Sequence, residues 1–135
     1  MDAMTQDSAG DSLRLELQAP SSVRTREVVS FVVRVENVST RPVDLYLRGR
    51  DLTVDIIVRD ARGVEMWRRL DGAVIPAIIR LETLAAGGML ELSDEWRQTT
   101  SAGAVLPAGV YTVHGEFLTD NRPLVTPPIT LRIGD

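Results

Sequence analysis

Apolar residues alternate with polar ones along most of this chain, and this period of two constrains the fold more than any other feature. In segments 13–17 and 29–35, every second residue is leucine, valine or phenylalanine. Successive side chains of a β-strand point to opposite faces of the sheet, so this pattern predicts strands with one buried face. Further predicted strands cover residues 43–47, 53–59, 64–68, 88–96, 109–117 and 129–133.

Turn residues separate these predicted strands. Asp60 to Gly63 connects 53–59 to 64–68, and because its glycine suits the left-handed position of a hairpin turn, we pair these two strands. Strands that recur every 8 to 12 residues or so, with glycine and proline turns between them, are typical of a sandwich. The sequence therefore predicts an all-β fold, an antiparallel immunoglobulin-like β-sandwich of about eight strands.

The stretch 76–88 carries two periodicities. Ile78, Leu81 and Ala85 have helical spacing with Gly87 as a C-cap, whereas Ile79 and Leu81 suit a short edge strand. We expect a helical turn that runs into a strand.

Length and composition indicate one globular domain. The chain has 135 residues, 44% of them hydrophobic and 25% charged, which suffices for an ordinary core. Residues 1–11 are small and polar, so we expect a flexible lead followed by a single domain over 12–135. No apolar run approaches the roughly 20 residues that span a bilayer, and the first residues lack the features of a signal peptide. We expect a cytoplasmic protein without a membrane partner.

Several kinds of chemistry are excluded by composition. The chain has no cysteine, and all 15 basic residues are arginine, so thiolate, Schiff-base and cysteine-zinc chemistry are unavailable. The net charge of −4 disfavours nucleic acid as a partner. Aspartate and glutamate are frequent, but no calcium-binding loop pattern occurs. We predict no metal site and no cofactor.

The single histidine, His114, is the sole candidate for an imidazole base. It lies in LPAGVYTVHGEF, where alternation places Val113 in the core and His114 on the polar face. Tyr111 has the position of a corner tyrosine, whose hydroxyl bonds to the backbone just upstream. No nucleophile signature accompanies the histidine. We interpret His114 as an exposed strand residue, predict no catalytic residue, and expect that the protein is not an enzyme.

Two other features have both a structural and a functional interpretation. Asn37-Val38-Ser39 formally matches a glycosylation site, but we favour an Asx-type turn that closes the preceding strand. Trp67 and Trp96 are candidates for ligand-stacking platforms, although we favour their role as core residues.

The turn and core residues together resemble the intracellular proteinase inhibitor family, often called BsuPI-like. The resemblance covers about residues 28–118 and rests on ordered elements, which are Asn37 with Ser39, Gly63 with Trp67, Gly87 or Gly88, Trp96, and Pro107 with Gly109 and Tyr111. It implies a protein partner, specifically a serine protease of the intracellular subtilisin-like kind. One departure from the family pattern is that an expected aromatic residue is replaced by the aliphatic Val74 or Ile75.

The segment RRLDGAVIPAII contains our candidate partner-binding loop. Loops on a rigid scaffold often carry recognition. The candidate residues are Leu70, Asp71, Gly72, Ala73, Val74, Ile75, Pro76 and Ala77. Two interpretations stay open: an apolar tip that protrudes and occludes a protease cleft, or one that folds back under the sandwich. The alternative function is a non-inhibitory adhesion or scaffold module that binds through a sheet edge, and the sequence leaves the oligomeric state open.

Overall fold

The computed structural model describes residues 12–50 and 52–134; the predicted N-terminal lead, residues 1–11, lies outside them. Within the described residues there are eleven strands, and the shortest of them, β2 and β10, have two residues each. They are β1 (Leu13–Gln18), β2 (Ser22–Val23), β3 (Val29–Asn37), β4 (Val43–Arg48), β5 (Val54–Arg59), β6 (Glu65–Arg68), β7 (Ile79–Leu84), β8 (Met89–Trp96), β9 (Gly109–Phe117), β10 (Leu124–Val125) and β11 (Ile129–Ile133).

The strands form two main sheets and a ribbon. One sheet has the order β1-β3-β8, the other has the order β2-β11-β9-β5-β6 with β10 beside β9, and β4 pairs with β7 in the ribbon. All pairs are antiparallel except that of β2 with β11. The all-β sandwich prediction is confirmed, with more strands than the eight expected because short pairs such as β2 and β10 carry no alternation signal.

The buried faces of the two main sheets pack against each other. Gly115 of β9 approaches β3 so closely that an added Cβ would lie 2.8 Å from the Val33 side chain. Three aromatic rings also join the sheets, with Trp67 of β6 stacked 5.2 Å from Trp96 and 6.3 Å from Phe31. Both tryptophans therefore serve the core, as favoured from the sequence.

The two local predictions for residues 53–88 have different outcomes. β5 and β6 pair through the turn at 60–63, where Gly63 has a φ of 84°, as predicted. In 76–88, the expected helical turn is wrong, whereas the strand expected to follow it is present. Ile79–Leu84 is a strand that pairs with β4, and Gly87, with a φ of 78°, lies in the turn to β8. Tertiary pairing with β4 outweighs the local helical spacing.

Asn37 is fully buried at the end of β3 and closes the predicted Asx-type turn. Its Oδ1 accepts hydrogen bonds from the Ser39 amide at 2.9 Å and hydroxyl at 2.7 Å. Its Nδ2 donates to the carbonyls of Arg41, Leu84 and Ala85. One amide group thus fastens the β3–β4 turn to the end of β7.

The corner and the two faces of β9 follow the prediction. The Tyr111 hydroxyl donates to the Pro107 carbonyl at 2.6 Å, and Tyr111, Val113 and Phe117 are buried. His114 lies on the opposite face as expected, but the prediction that it is exposed is wrong. Its side chain is only 12% exposed because Arg59 and Glu116 flank it on the sheet surface.

We expect Asn37→Asp to lower the free energy of unfolding by about 3 kcal/mol or more. The substitution keeps the shape but sets a carboxylate against buried carbonyl oxygens, which costs more than losing one neutral hydrogen bond. Urea unfolding measures the change. Asn121→Asp, at an exposed turn position, is the control and should stay within about 0.5 kcal/mol of the parent protein.

Tyr111→Phe should lower the free energy of unfolding by about 1 kcal/mol, the net contribution of one hydrogen bond. Tyr46→Phe is the matched control, because the Tyr46 side chain is 48% exposed. Equal losses for the two variants would contradict the role of the corner hydroxyl.

Candidate functional site

The structure places all of the candidate partner-binding residues on one connection, the stretch 69–78 between β6 and β7, which we call the β6–β7 loop. They are Leu70, Asp71, Gly72, Ala73, Val74, Ile75, Pro76 and Ala77. The loop begins with a tight turn, in which the amides of Asp71 and Ala73 donate to the carbonyls of Arg68 and Leu70. Gly72 supports this turn with a φ of 74°.

Asp55, a buried carboxylate on β5, holds the beginning of the loop. Its Oδ1 accepts a hydrogen bond of 3.0 Å from the Leu70 amide, and its Oδ2 lies 2.7 Å from Nη1 of Arg68. Burial raises the pKa of Asp55 above its ordinary value, and the Leu70 amide and the Arg68 charge partly oppose that rise. The hydrogen bond from Arg68 in turn lowers the pKa of Glu65. Sequence alternation gave no sign of this buried charge.

Arg69 attaches the same end of the loop to both sheets. Its Nε donates to Oδ2 of Asp94 on β8 at 2.6 Å, and its Nη1 donates to the Val54 carbonyl on β5 at 2.7 Å. Its own amide donates to the Ile56 carbonyl. The other end of the loop is fixed where the Gly49 amide donates to the Ile78 carbonyl at 2.8 Å and β7 begins to pair with β4. Both ends therefore leave the scaffold at defined positions.

The tip of the loop is apolar and points away from the sandwich. Val74 is 94% exposed, Pro76 and Ala77 are exposed, and Ile75 is half-buried. An isolated exposed valine is ordinary on protein surfaces, so the interest of Val74 lies in its place on a loop whose two ends are anchored. Of the two interpretations left open by the sequence, the folded-back one does not apply to Val74, whereas Ile75 packs partly against its surroundings.

The tip also carries free backbone donors. Among the described residues, none forms a hydrogen bond with the amides of Val74, Ile75 or Ala77. Pro76 lacks an amide hydrogen and fixes its own φ. The segment 73–76 adopts no regular secondary structure, so its backbone is available to a partner.

Clefts flank the loop on both sides. The cleft toward the 118–122 turn has a volume of about 380 Å³ and is lined by Arg48, Ile75, Pro76, Ala77, Ile79 and Asp120. The other cleft, of about 290 Å³, lies between the loop and a wall formed by Gly49, Arg50, Leu52 and Thr53. Ile75 and Pro76 line both clefts, so the tip forms a ridge between two grooves.

The second long connection, 97–108, is held to the 24–27 turn by a buried side chain. Gln98 is fully buried, with Nε2 donating to the carbonyls of Arg24 and Glu27 and Oε1 accepting from the Arg26 amide. Leu106 is also buried. Val105 of this connection is 45% exposed, compared with 94% for Val74 of the β6–β7 loop. Its buried glutamine has no sequence signature.

The surroundings of His114 do not form a recognisable catalytic arrangement. Nδ1 lies 3.3 Å from Nη1 of Arg59, and Nε2 lies 3.0 Å from Oε2 of Glu116. Because an arginine can only donate, Nδ1 accepts its hydrogen bond, and Nε2–H donates a hydrogen bond to Oε2 of Glu116. Both ring nitrogens are thus engaged by charged neighbours. No group of three or more metal-binding side chains occurs among residues 12–50 and 52–134, and no helix in that range could cross a membrane.

Comparisons with known proteins agree with this architecture. The sequence profile of a family described as intracellular proteinase inhibitor, BsuPI, matches residues 15–122, which is more than half of the chain. A search of curated proteins gives no match.

Similar solved structures show the fold alone. The C-terminal domain of wzt is 12% identical with a TM-score of 0.55, over 92% of this chain and 74% of that one. The alkylpurine DNA glycosylase AlkC of Pseudomonas fluorescens, bound to DNA, is 14% identical with a TM-score of 0.51, over 92% of this chain and 31% of that one. A CARDB domain from Pyrococcus furiosus is 14% identical with a TM-score of 0.48, over 90% of this chain and 92% of that one.

The buried carboxylate predicts a specific pH dependence. Because the pKa of Asp55 is raised above 3.8 in the folded protein, this residue favours the folded state most below that value, and the contribution is lost as the pH rises through the raised pKa. We therefore expect the free energy of unfolding of the parent protein to increase relative to that of Asp55→Asn as the pH falls from about 7 to about 4. Urea unfolding at each pH measures it. A decrease would mean that the Arg68 ion pair outweighs burial.

Proposed function

Because the chain belongs to the intracellular proteinase inhibitor family, we propose that it inhibits a subtilisin-like serine protease by placing the β6–β7 loop in the active-site cleft. The observation that carries this proposal is the 94% exposure of Val74 at the apex of a loop whose two ends are anchored to the sheets. An anchored loop loses little conformational freedom on binding, so more of its contact energy appears as affinity.

The free amides around the tip supply the second part of the interaction. Proteins that hold an extended peptide do so largely through backbone hydrogen bonds, with pockets for alternate side chains. The amides of Val74, Ile75 and Ala77 have no partner among the described residues and suit such pairing. Val74 then enters the apolar pocket of the protease, and the two clefts beside the loop receive the rims of the protease groove.

The anchors also explain how a bound loop resists proteolysis. If the peptide bond after Val74 were cut, the upstream half would stay held by Asp55 and Arg69, and the downstream half by the pairing of β7 with β4. The new ends would remain close together, which favours resynthesis of the bond over release of the products.

The residue at the tip narrows the choice of protease. Valine is β-branched and aliphatic, whereas the resemblance leads one to expect an aromatic residue in this stretch. The partner's pocket is therefore apolar and narrower than one that accepts an aromatic ring. Since the family is intracellular, the complex forms in the cytoplasm.

Inhibition by occlusion needs no chemistry from the inhibitor itself. The two ring nitrogens of His114 are occupied by Arg59 and Glu116, which fits a structural role. In this proposal the protein is not an enzyme, and it uses neither a cofactor nor a metal.

Val74→Ala tests the proposal. Residual activity of a panel of serine proteases, subtilisin-like enzymes included, is measured against inhibitor concentration. A few central residues dominate most interfaces, so we expect this change to raise the inhibition constant about thirtyfold, or about 2 kcal/mol, with the melting temperature unchanged. Val64→Ala, at another exposed valine in the β5–β6 turn, is the control and should have no effect.

Normal inhibition by a stable Val74→Ala variant would show that the β6–β7 loop is not the inhibitory element. The candidate inhibitory element would then become residues 98–107 of the second long connection. Absence of inhibition across the panel by the parent protein would contradict the choice of a serine protease.

A further inference from the structure

β7 has one paired edge and one open edge. Its register with β4 pairs Arg48 with Ile79, Tyr46 with Leu81 and Asp44 with Thr83. The hydrogen bond from Gly49 to the Ile78 carbonyl fixes which residues bond to β4, because bonding alternates along an antiparallel pair. The backbone groups of Ile79, Leu81 and Thr83 therefore point away from β4. On the opposite edge of β4, the Arg48 amide donates to the Leu118 carbonyl and the Tyr46 carbonyl accepts from the Asp120 amide. This agrees with the alternation of hydrogen bonds along the β4–β7 pair.

The outer face of the β4–β7 ribbon carries three large apolar side chains near this open edge, together with Asp44, Arg48 and Thr83. Tyr46 is 48% exposed, Ile79 is 46% exposed and Leu81 is 54% exposed. Tyr46 and Leu81 are direct cross-strand neighbours. An open edge beside exposed apolar side chains is a template for pairing with another strand.

The charges on the inner face select one way for two copies of β7 to pair. Arg80 and Glu82 lie on the inner face of the ribbon, which they share with the buried Leu45 and Leu47 of β4. They form an ion pair of 2.8 Å, and their side chains remain 28% and 37% exposed. Antiparallel self-pairing centred on residue 80 would oppose two arginines, and centring on residue 82 would oppose two glutamates. Centring on Leu81 sets each Arg80 opposite the other copy's Glu82. This register also aligns the outward backbone groups of 79, 81 and 83.

Arg80 has an unused donor that this register would satisfy. Its Nε is buried and has no hydrogen-bond partner. Among the described residues, no other buried side-chain nitrogen or oxygen atom lacks one. Buried donors are nearly always paired. In the Leu81-centred register, Arg80 and Glu82 of the two copies form non-hydrogen-bonded pairs, in which side chains lie closest.

The edge strand β1 has the same arginine-leucine-glutamate order but different surroundings. Arg14 pairs with Glu36 and Arg34 pairs with Glu16, both across to the neighbouring strand β3. The charges of β1 are thus paired with its neighbouring strand, whereas Arg80 and Glu82 of β7 pair with each other and have no charged neighbour on β4.

We propose that two copies of this chain associate through their β7 edges, antiparallel and centred on Leu81. The interface is isologous, since each copy contributes the same residues. It joins the two ribbons into one four-stranded sheet and brings the exposed Tyr46, Ile79 and Leu81 faces together. Because the paired strands run in opposite directions, the two β6–β7 loops lie at opposite ends of the joined sheet. The association is independent of the proposed protease.

Sedimentation equilibrium over a concentration series tests the association. The parent protein should be dimeric at about 100 µM. Leu81→Lys changes an exposed residue but opposes two ammonium groups at the centre, so the dimer dissociation constant should rise at least tenfold or so. Val125→Lys alters another exposed apolar strand residue and is the control, with no expected effect.

Charge reversal tests the register. Arg80→Glu and Glu82→Arg should each weaken the dimer about tenfold, and the double variant should return to within about threefold of the parent, because opposite charges again face each other. A parent protein that stays monomeric at this concentration overturns the proposal, as does a dimer insensitive to Leu81→Lys. A monomer whose inhibition of a protease is lost in Leu81→Lys would assign the edge to the protease instead and would also overturn it.

Discussion

The buried carboxylate of Asp55 is the interaction on which the arrangement of the candidate site depends. A carboxylate removed from water is costly unless hydrogen-bond donors surround it, and here the donors are the Leu70 amide, the Ile56 amide and the Arg68 guanidinium. Two of these three belong to the end of β6 and the beginning of the β6–β7 loop. These hydrogen bonds therefore fix the position and the direction in which the loop begins.

The core supports that anchor by fixing the strands around it. Gly115 allows the two sheets to approach at β9, and the stacked rings of Phe31, Trp67 and Trp96 hold β6 against the opposite sheet. Since β6 leads directly into the loop, ring packing at Trp67 and the ion pairs of Arg68 and Arg69 act on the same few residues. The loop is therefore rigid at its ends and exposed at its tip, which is the combination that preorganised recognition requires.

Alternation in the sequence was sufficient to predict the long strands, the β5–β6 hairpin and the faces of β9, because burial of one sheet face imposes a period of two. The corner at Tyr111 and the turn at Asn37 were predictable because each has a local residue pattern. The helical turn in 76–88 was wrong because pairing of β7 with β4 is non-local. The position of the candidate loop followed from composition, but its anchors did not, since Asp55 lies on β5 far from the loop in sequence and looks like any polar residue of an alternating strand.

Hydrogen exchange of the inhibitor's amides, with and without the protease that it inhibits most strongly, tests the central claim directly. In the free protein, the amides of Val74, Ile75 and Ala77 have no partner among the described residues and should exchange rapidly. The account predicts that they become strongly protected in the complex, while the amides of the 98–107 connection change little. Protection of 98–107 or of another surface, with residues 74–77 still exchanging rapidly, would contradict it.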